Sequence, residues 1–338
     1  MEQQETACRL SVAPMMDWTD RHCRVFHRQL SRRTLLYTEM VTAPALVRGG
    51  ALHLLDHSRE EHPVALQLGG SDPEELAQAA RLGAEAGYDE INLNVGCPSD
   101  RVQSGTFGAV LMRDPARVAD CVAAMRAAVA VPVTVKCRIG VDEQDPERVL
   151  PDFLARMAEA GAAQVTVHAR KAWLEGLSPK ENRDVPPLDY DLVRRMRDAF
   201  PALSIALNGG VQSLDEVEAH LEDGFAGVMV GRAAYHRPWD ILGEADRRLW
   251  GEARQTTPEA AARAMLPYIE AHLSAGGRLN QVTRHMLGLF AGRPGARHWR
   301  QMLSEGASCP DAGPELVERA LAQVPPLAAD FTEARRSA

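Results

Sequence analysis

Eight short apolar or β-branched runs alternate with longer helical patterns between Leu10 and Val230, and only helical periodicity follows from Pro258 to Val324. That order predicts an α/β chain: a (β/α)8 TIM barrel followed by a small C-terminal α-helical domain. A third observation supports it. Most of the eight runs are apolar until they end, and there they turn to Gln, Asn, Lys, Arg, His or Gly. In such a barrel the chemistry sits where the strands end. A doubly wound sheet is the main rival. The strand count and the glycines closing the last two runs favour the barrel.

The strands are expected at Leu10–Ala13, Leu35–Thr38, Val64–Gln67, Glu90–Asn94, Val133–Arg138, Gln164–His168, Ser204–Asn208 and Gly227–Val230. The helices between them have clear starts. "SDPEELAQAARLGAEAG" offers Asp72 as N-cap, Pro73 in the first turn and Gly87 at the exit. Asp114 with Pro115, and Asp145 with Pro146, repeat the pattern. Pro151 is expected to kink or shorten the helix that contains it. Ser213 starts another at "SLDEVEAHLEDG". The division that follows is a catalytic barrel over 1–241, a connector over 242–257 and a helical domain over 258–338, with "FTEARRSA" as a frayed tail.

Composition narrows the class. The chain has 338 residues, 45% of them hydrophobic, enough for one large core. No run approaches the roughly 18 apolar residues of a membrane span. "MEQQETACRL" has neither a basic start nor an apolar stretch, so no signal peptide is expected. The six cysteines form no CxxC pair and read as free thiols in a reducing, cytoplasmic setting; no metal is expected. Net charge is −8. Yet Ala271 to Ser304 holds no acid and five arginines: Arg278, Arg284, Arg293, Arg297 and Arg300. A basic segment on an acidic body suits a local anion-binding face, although solvated helix faces would look similar.

The strand ends carry the candidate site. Strand 1 leads into "APMMD", with Pro14, Met15 and Met16. Strand 3 ends at Gln67 and strand 4 at Asn92 and Asn94. Lys136 and Arg138 share one face of strand 5, and Cys137 takes the other. Strand 6 ends at His168. Strands 7 and 8 end in Asn208, Gly209 and Gly210, and in Gly231 and Arg232. Glycines let backbone N–H groups approach an anion, and phosphate sites recur after strands 7 and 8 of this fold. Tight turns would also use glycine. Lys136 could form a Schiff base, stabilise the negative charge of a reduced flavin, or sit in a buried ion pair. Gln67 and the "PMM" backbone could hydrogen-bond and cover a flat ring system.

Cys97 stands just past strand 4, between Gly96 and Pro98, before the glycine-containing "RVQSGTFGAVL". A thiol is mostly protonated at neutral pH, so a positioned cysteine can act as a general acid. Reducing an activated C=C bond needs a hydride on one carbon and a proton on the next. A reduced flavin can give the first and a thiol the second. Cys8, Cys121 and Cys137 better suit the role of small buried hydrophobes.

Several stretches together closely resemble the tRNA-dihydrouridine synthases of the A subfamily. They are "APMMDWTDRHCR", "EINLNVGCPSDRVQSGTFGAVLM", "VTVKCRIGVDEQD", "VTVHARKAWLEGLSPKENRDVPPLDY", "ALNGGVQS" and "VMVGRAAYHRPW". "NVGCP" is specific to dihydrouridine synthases, and "HARKAWLEGLSPKENR" and "QVTRHMLGLFAGRPGARHWRQMLSE" to the subfamily. The likeness runs from about Leu10 to Glu305 with no departure at a site position. It implies an FMN-binding barrel, a helical tRNA-binding domain, and NADPH-driven reduction of D-loop uridines at positions 20 and 20a by a monomer. It makes Cys97 the proton donor to C5 of uracil. It gives FMN to Pro14, Met15, Met16, Gln67, Lys136, His168, Asn208, Gly209, Gly210, Gly231 and Arg232. Asn94 and Arg138 would face the flipped uracil, and Lys180, Arg183, Arg297 and Arg300 would contact tRNA. Three rivals remain beside it: a flavin enzyme on a small molecule, a non-catalytic RNA-binding protein, and an aldolase using Lys136.

Overall fold

The computed structural model describes residues 9–99, 107–253 and 256–326. Eight parallel strands close on themselves in chain order: β1 (Leu10–Val12), β2 (Leu35–Thr42), β3 (Val64–Gly69), β4 (Glu90–Val95), β5 (Val133–Arg138), β6 (Gln164–His168), β7 (Ser204–Asn208) and β8 (Gly227–Val230). The seam is β1 against β8, with Leu10, Ser11 and Val12 opposite Val228, Met229 and Val230. The last four strands have the bounds read from the sequence. β2 runs on from Thr38 to Thr42 past a register irregularity between Tyr37 and Met40.

The helices around the barrel are α1 (Arg21–Leu30), the short α2 (Ala43–Val47), α3 (Pro73–Ala86), α4 (Pro115–Ala128), α5 (Pro146–Glu159), α6 (Tyr190–Ala199) and α7 (Leu214–Glu222). Asp72, Asp114, Asp145 and Ser213 cap α3, α4, α5 and α7, each accepting from an amide in the first turn. Gly87 ends α3 in the left-handed conformation. Pro151 does not shorten α5, which continues to Glu159. It lies inside the helix, where it costs one backbone hydrogen bond, and the buried Leu150, Phe153, Leu154 and Met157 hold the helix to the barrel on both sides of it.

The two-residue strand period sorts the side chains. Ile91, Leu93 and Val95 of β4, and Val133, Val135 and Cys137 of β5, join the apolar layer beneath the helices. The inward face is different. Leu35, Tyr37, Ala65 and Met229 form a small apolar plug, and beside it lie buried Glu90, Asn92, Thr134 and Gln67.

The chain then passes through α8 (Arg232–His236), α9 (Pro238–Leu242) and α10 (Ala245–Trp250) into α11 (Pro258–Ala264), α12 (Leu266–Ser274), α13 (Leu279–Thr283), α14 (Ala296–Glu305) and α15 (Glu315–Leu321). This helical region shares one apolar core with the barrel: Phe26 and Leu30 of α1 belong with Ile269, Phe290 and Trp299. The expected connector contains α10, whose buried Asp246 accepts from Ser31 Oγ at 2.5 Å and from the Arg32 amide at 2.7 Å.

The basic segment expected between Ala271 and Ser304 is corrected in two places. Arg284 pairs with Asp20 at 2.5 Å, and Arg293 is buried against Glu259 at 2.6 Å. Their partners lie outside the segment, so a local charge count missed them. Among the described residues no helix is long and apolar enough to cross a membrane. The tail at 331–338, Cys8, and residues 100–106 of the loop after Cys97 lie outside the described residues.

Candidate active site

A cavity of about 580 Å³ opens at the carboxyl ends of the strands. The turn after β1 brings Pro14, Met15 and Met16 to it, and β3 brings Gln67. Asn94 and Cys97 come from the end of β4, Lys136 and Arg138 from β5, and His168 from β6. Asn208, Gly209 and Gly210 follow from β7, Gly231 and Arg232 from β8, and Arg183 from the loop after β6. Three other expected site residues stand elsewhere. Lys180 is exposed in the β6 loop, and Arg297 and Arg300 are exposed on α14. None of the three lines the cavity.

The cavity's charge is cationic. Burial lowers the Lys136 ammonium to about 8, helped by the neighbouring Arg138 guanidinium. Burial also lowers Arg138 to about 10. Arg138 donates to the carbonyl oxygens of Gly96 at 3.2 Å and Asn182 at 2.9 Å. His168 is pushed well below its ordinary value by burial and then by Arg138 and Lys136, so its imidazole is neutral. Arg232 shares its charge with the Asp184 carboxylate at 2.7 Å. Lys136, Arg138, Arg183 and Arg232 outnumber Asp17, the carboxylate that also lines the space, and favour an anionic occupant.

The glycines are sterically required. Gly209 has φ +108°, and a Cβ there would lie 2.5 Å from the His168 ring. Gly210 has φ +79°, and a Cβ there would lie 2.5 Å from the Tyr190 hydroxyl, which itself donates to the Gly209 carbonyl. Any side chain would strain the backbone and displace both rings. The loop therefore brings bare peptide to the cavity wall.

Cys97 is half-buried at the rim. Asn94 Oδ1 accepts from its amide at 3.0 Å and from the Gly96 amide at 3.1 Å. The thiol lies 3.4 Å from Ser99 Oγ. Beneath it, Gln67 Oε1 accepts from Asn94 Nδ2, and Gln67 Nε2 donates to Asn92 Oδ1, both at 2.8 Å. Cys137, one residue from Lys136, is fully buried on the opposite face, and burial raises its thiol to about 12.

Other residues organise the site without having stood out in the sequence. Asn182, within "SPKENR", is fully buried. Its Nδ2 donates to the carbonyls of Trp173, Leu177 and Ser178, and its Oδ1 accepts from the Trp173 amide. It folds the β6 loop onto Arg138. Trp18 stacks on Tyr235 at 4.5 Å and borders the cavity. Only the unusual density of polar residues after β6 could have signalled Asn182. A second cavity, about 660 Å³, lies between α1 and α12 beside Arg28 and Tyr268, and holds none of the strand-end groups. Among the described residues no group of three or more His, Cys, Asp or Glu is placed to hold a metal ion.

The fold and site define a parallel eight-stranded barrel with an anion-seeking pocket and a thiol at its rim. Two solved structures share the barrel: an old yellow enzyme homologue from Zymomonas mobilis, with a TM-score of 0.52 and 14% identity over 73% of this chain and 90% of its own, and morphinone reductase, at 0.50 and 15% over 73% and 87%. At those identities they speak to fold alone. The family model described as dihydrouridine synthase matches residues 11–324. The tRNA-dihydrouridine(20/20a) synthase of Vibrio cholerae is 58% identical over 321 residues, 94% of this chain and 97% of the relative. Proteins of the same name from Xanthomonas campestris and Escherichia coli are 58% and 57% identical, over 92% and 93% of this chain and 92% and 95% of their own lengths. The chain belongs to the dihydrouridine synthase family.

Proposed function

We propose that this chain reduces the C5=C6 bond of D-loop uridines in tRNA, at position 20 and also at 20a, with FMN as cofactor and NADPH as reductant. The observation that carries the reading is the pairing of a rim thiol, Cys97, with the cationic, glycine-walled pocket of Lys136, His168 and Gly209.

The pocket fits FMN on its own chemistry. Gly209 and Gly210, where the packing of His168 and Tyr190 admits no Cβ, bring bare backbone to the cavity wall, and Arg232 stands beside them for a phosphate. Gln67 keeps one N–H and one lone pair free of its two amide partners, a donor and acceptor pair for a planar imide edge. Lys136 lends positive charge where a reduced flavin is negative. Pro14, Met15 and Met16 cover one wall, and Asn208 and Gly231 complete the β7 and β8 ends.

Bound FMN, reduced by NADPH, supplies the hydride for C6 of uracil. The protein supplies the rest. Asn94 and Arg138 receive the base, which must leave its stack to enter. Cys97 holds a proton at Sγ and gives it to C5, so that one hydride and one proton balance the reduction. Lys180, Arg183, Arg297 and Arg300 contact the tRNA backbone. The division that supports this is a catalytic barrel over 1–241, a connector over 242–257 and a helical tRNA-binding domain over 258–338, acting as a cytoplasmic monomer.

The test is dihydrouridine analysis of tRNA from a strain lacking the modification, incubated with purified protein, FMN and NADPH. Dihydrouridine appearing only with all components is expected. Protein that leaves the tRNA unchanged with FMN and NADPH both present would overturn the reading.

A further inference from the structure

We propose that Glu90 and Thr134, which do not line the cavity, are positioning residues: through Asn92 they close the lower end of a hydrogen-bonded column whose upper end is the Gly96 and Cys97 amides, and so lock the orientation of the Gln67 and Asn94 amides and the seat of Cys97. The inference rests on the flavin reading of the pocket for its functional consequence, but its geometry stands alone.

One hydrogen-bonded chain links five side chains on three adjacent strands to two backbone amides just past β4. It begins at the backbone amides of Gly96 and Cys97, which can only donate. Asn94 must therefore turn its Oδ1 toward them, at 3.1 and 3.0 Å. That leaves Asn94 Nδ2 to donate to Gln67 Oε1 at 2.8 Å. Gln67 Nε2 then donates to Asn92 Oδ1 at 2.8 Å, and Asn92 Nδ2 donates to Thr134 Oγ1 at 2.8 Å. The Thr134 hydroxyl spends its proton on Glu90 Oε1 at 2.5 Å, where the Tyr37 hydroxyl also donates. Every link runs the same way. Compulsory donors stand at the top and a carboxyl oxygen at the bottom. That oxygen accepts when the carboxyl is charged, and also when it is neutral with its proton on Oε2.

All five side chains are buried and Cys97 alone is half-buried, so water cannot replace a lost partner cheaply. An amide alone has two orientations of nearly equal shape. A flipped Gln67 would set Oε1 against Asn92 Oδ1 and Nε2 against Asn94 Nδ2, two clashes of like groups. The chain forbids this. It decides that Gln67 offers the pocket one N–H and one oxygen lone pair in a fixed order, and that Asn94 keeps hold of the Cys97 amide. The strand period explains the placement: Glu90, Asn92 and Asn94 alternate inward on β4, Gln67 faces Asn92 across β3, and Thr134 faces it across β5. A barrel interior of this type is usually filled by branched aliphatics. Here a polar column stands in their place and ends at the reactive rim.

Thr134→Val keeps the shape and removes the relay. Thr134→Ser keeps the relay and removes a methyl. Each would be read by FMN affinity, by the absorption spectrum of the bound flavin, and by the rate of Cys97 alkylation with iodoacetamide, followed by peptide mass spectrometry. T134V is expected to bind FMN about tenfold more weakly, the scale of one buried hydrogen bond, with an altered flavin spectrum and faster Cys97 alkylation. T134S is expected to match the wild type on all three. Should T134V not fold, Asn92→Asp makes the same test, because it keeps the shape and replaces the Nδ2 donor with an acceptor; it is expected to share the T134V losses. Wild-type behaviour of T134V or N92D overturns the proposal, as does T134S being as impaired as T134V, which would mean packing alone matters. Wild-type protein that binds no FMN would overturn the flavin reading instead, and the alkylation rates would still decide the chain.

Discussion

Asn94 holds the backbone of Cys97: its Oδ1 accepts from the Cys97 amide at 3.0 Å. The thiol is thus carried on a turn pinned to the end of β4, not on a free loop. A pinned thiol suits proton delivery to one atom of a base. Cys97→Ala should leave reduction of the bound flavin by NADPH nearly intact and slow reduction of tRNA uridine by roughly 10²-fold or more. Rapid-mixing measurements of the two half-reactions check this. Equal loss in both would mean that Cys97 supports the cofactor. Cys137→Ala should be mild, since Cys137 faces the helices and not the pocket.

Lys136 gives a pH dependence. Its value falls from 10.5 to about 8 on folding because burial disfavours the ammonium. Between those values the unfolded chain holds the proton and the folded chain does not. Stability therefore rises with pH across that window. An anionic ligand acts in the opposite sense, because it binds best to the charged lysine. FMN affinity of the wild type should fall as pH rises through about 8, while apoprotein stability, compared with Lys136→Met, should rise from pH 8 toward 10.5. Titration calorimetry and chemical denaturation at several pH values test both. A K136M variant with the same alkaline loss of FMN affinity would remove Lys136 from the cofactor site.

Asn182 should be the residue that makes the β6 loop a structure. Its Nδ2 serves three carbonyls at 2.8 to 3.3 Å. Asn182→Ala takes this partner from the Trp173 and Leu177 carbonyls and the Trp173 amide, while the Ser178 carbonyl keeps the residue-182 amide at 2.9 Å, and should cost about 1–3 kcal/mol. Asn182→Asp should be worse, since an ionised carboxylate has no donor and would face three acceptors. Limited proteolysis should cut both variants within the loop while the barrel stays whole. Protection equal to wild type would show that the loop is held by other contacts.

The barrel was legible because its signals are local. Asp72, Asp114, Asp145 and Ser213 cap helices through their own first turns, and the polar strand ends follow a two-residue period. The candidate cofactor residues came together because a closed parallel barrel gathers all its strand ends on one rim. What escaped the sequence is long-range pairing. Arg284 reads as free charge until Asp20, 264 residues away, meets it. Arg293 reads the same way until Glu259 does. Glu90 read as the unremarkable first residue of a strand, because nothing local says that Thr134 and Tyr37 will both donate to it. Pro151 was weighed by residue type, whereas α5 runs through it with Leu150, Phe153, Leu154 and Met157 buried on one face.

The basic face that remains for tRNA is narrower than the sequence suggested, and the prediction sharpens with it. With Arg284 and Arg293 committed to Asp20 and Glu259, Arg278 is left exposed at the start of α13, and Arg297 and Arg300 are left as exposed cations on α14. They stand three residues apart on one helix, so they share a face. Neither lines the catalytic cavity, so their effect should be on holding the polyanion and not on the chemistry. Replacing both with alanine should weaken tRNA binding, flatten the dependence of log K on log salt by up to about two units of slope, and leave NADPH oxidation by the flavin unchanged. Lys180→Ala and Arg183→Ala should differ from each other. Lys180 is exposed and should act through salt-sensitive binding alone, whereas Arg183 lines the cavity and should also lower uridine reduction at saturating tRNA. If orientation of the tRNA selects the base, the Arg297/Arg300 variant should also lose preference among D-loop positions. Mapping dihydrouridine in tRNA from the deficient strain after adding back wild type or variant measures this. Modification by the wild type at 16 or 17, with 20 and 20a untouched, would overturn the position assignment and leave the flavin chemistry standing.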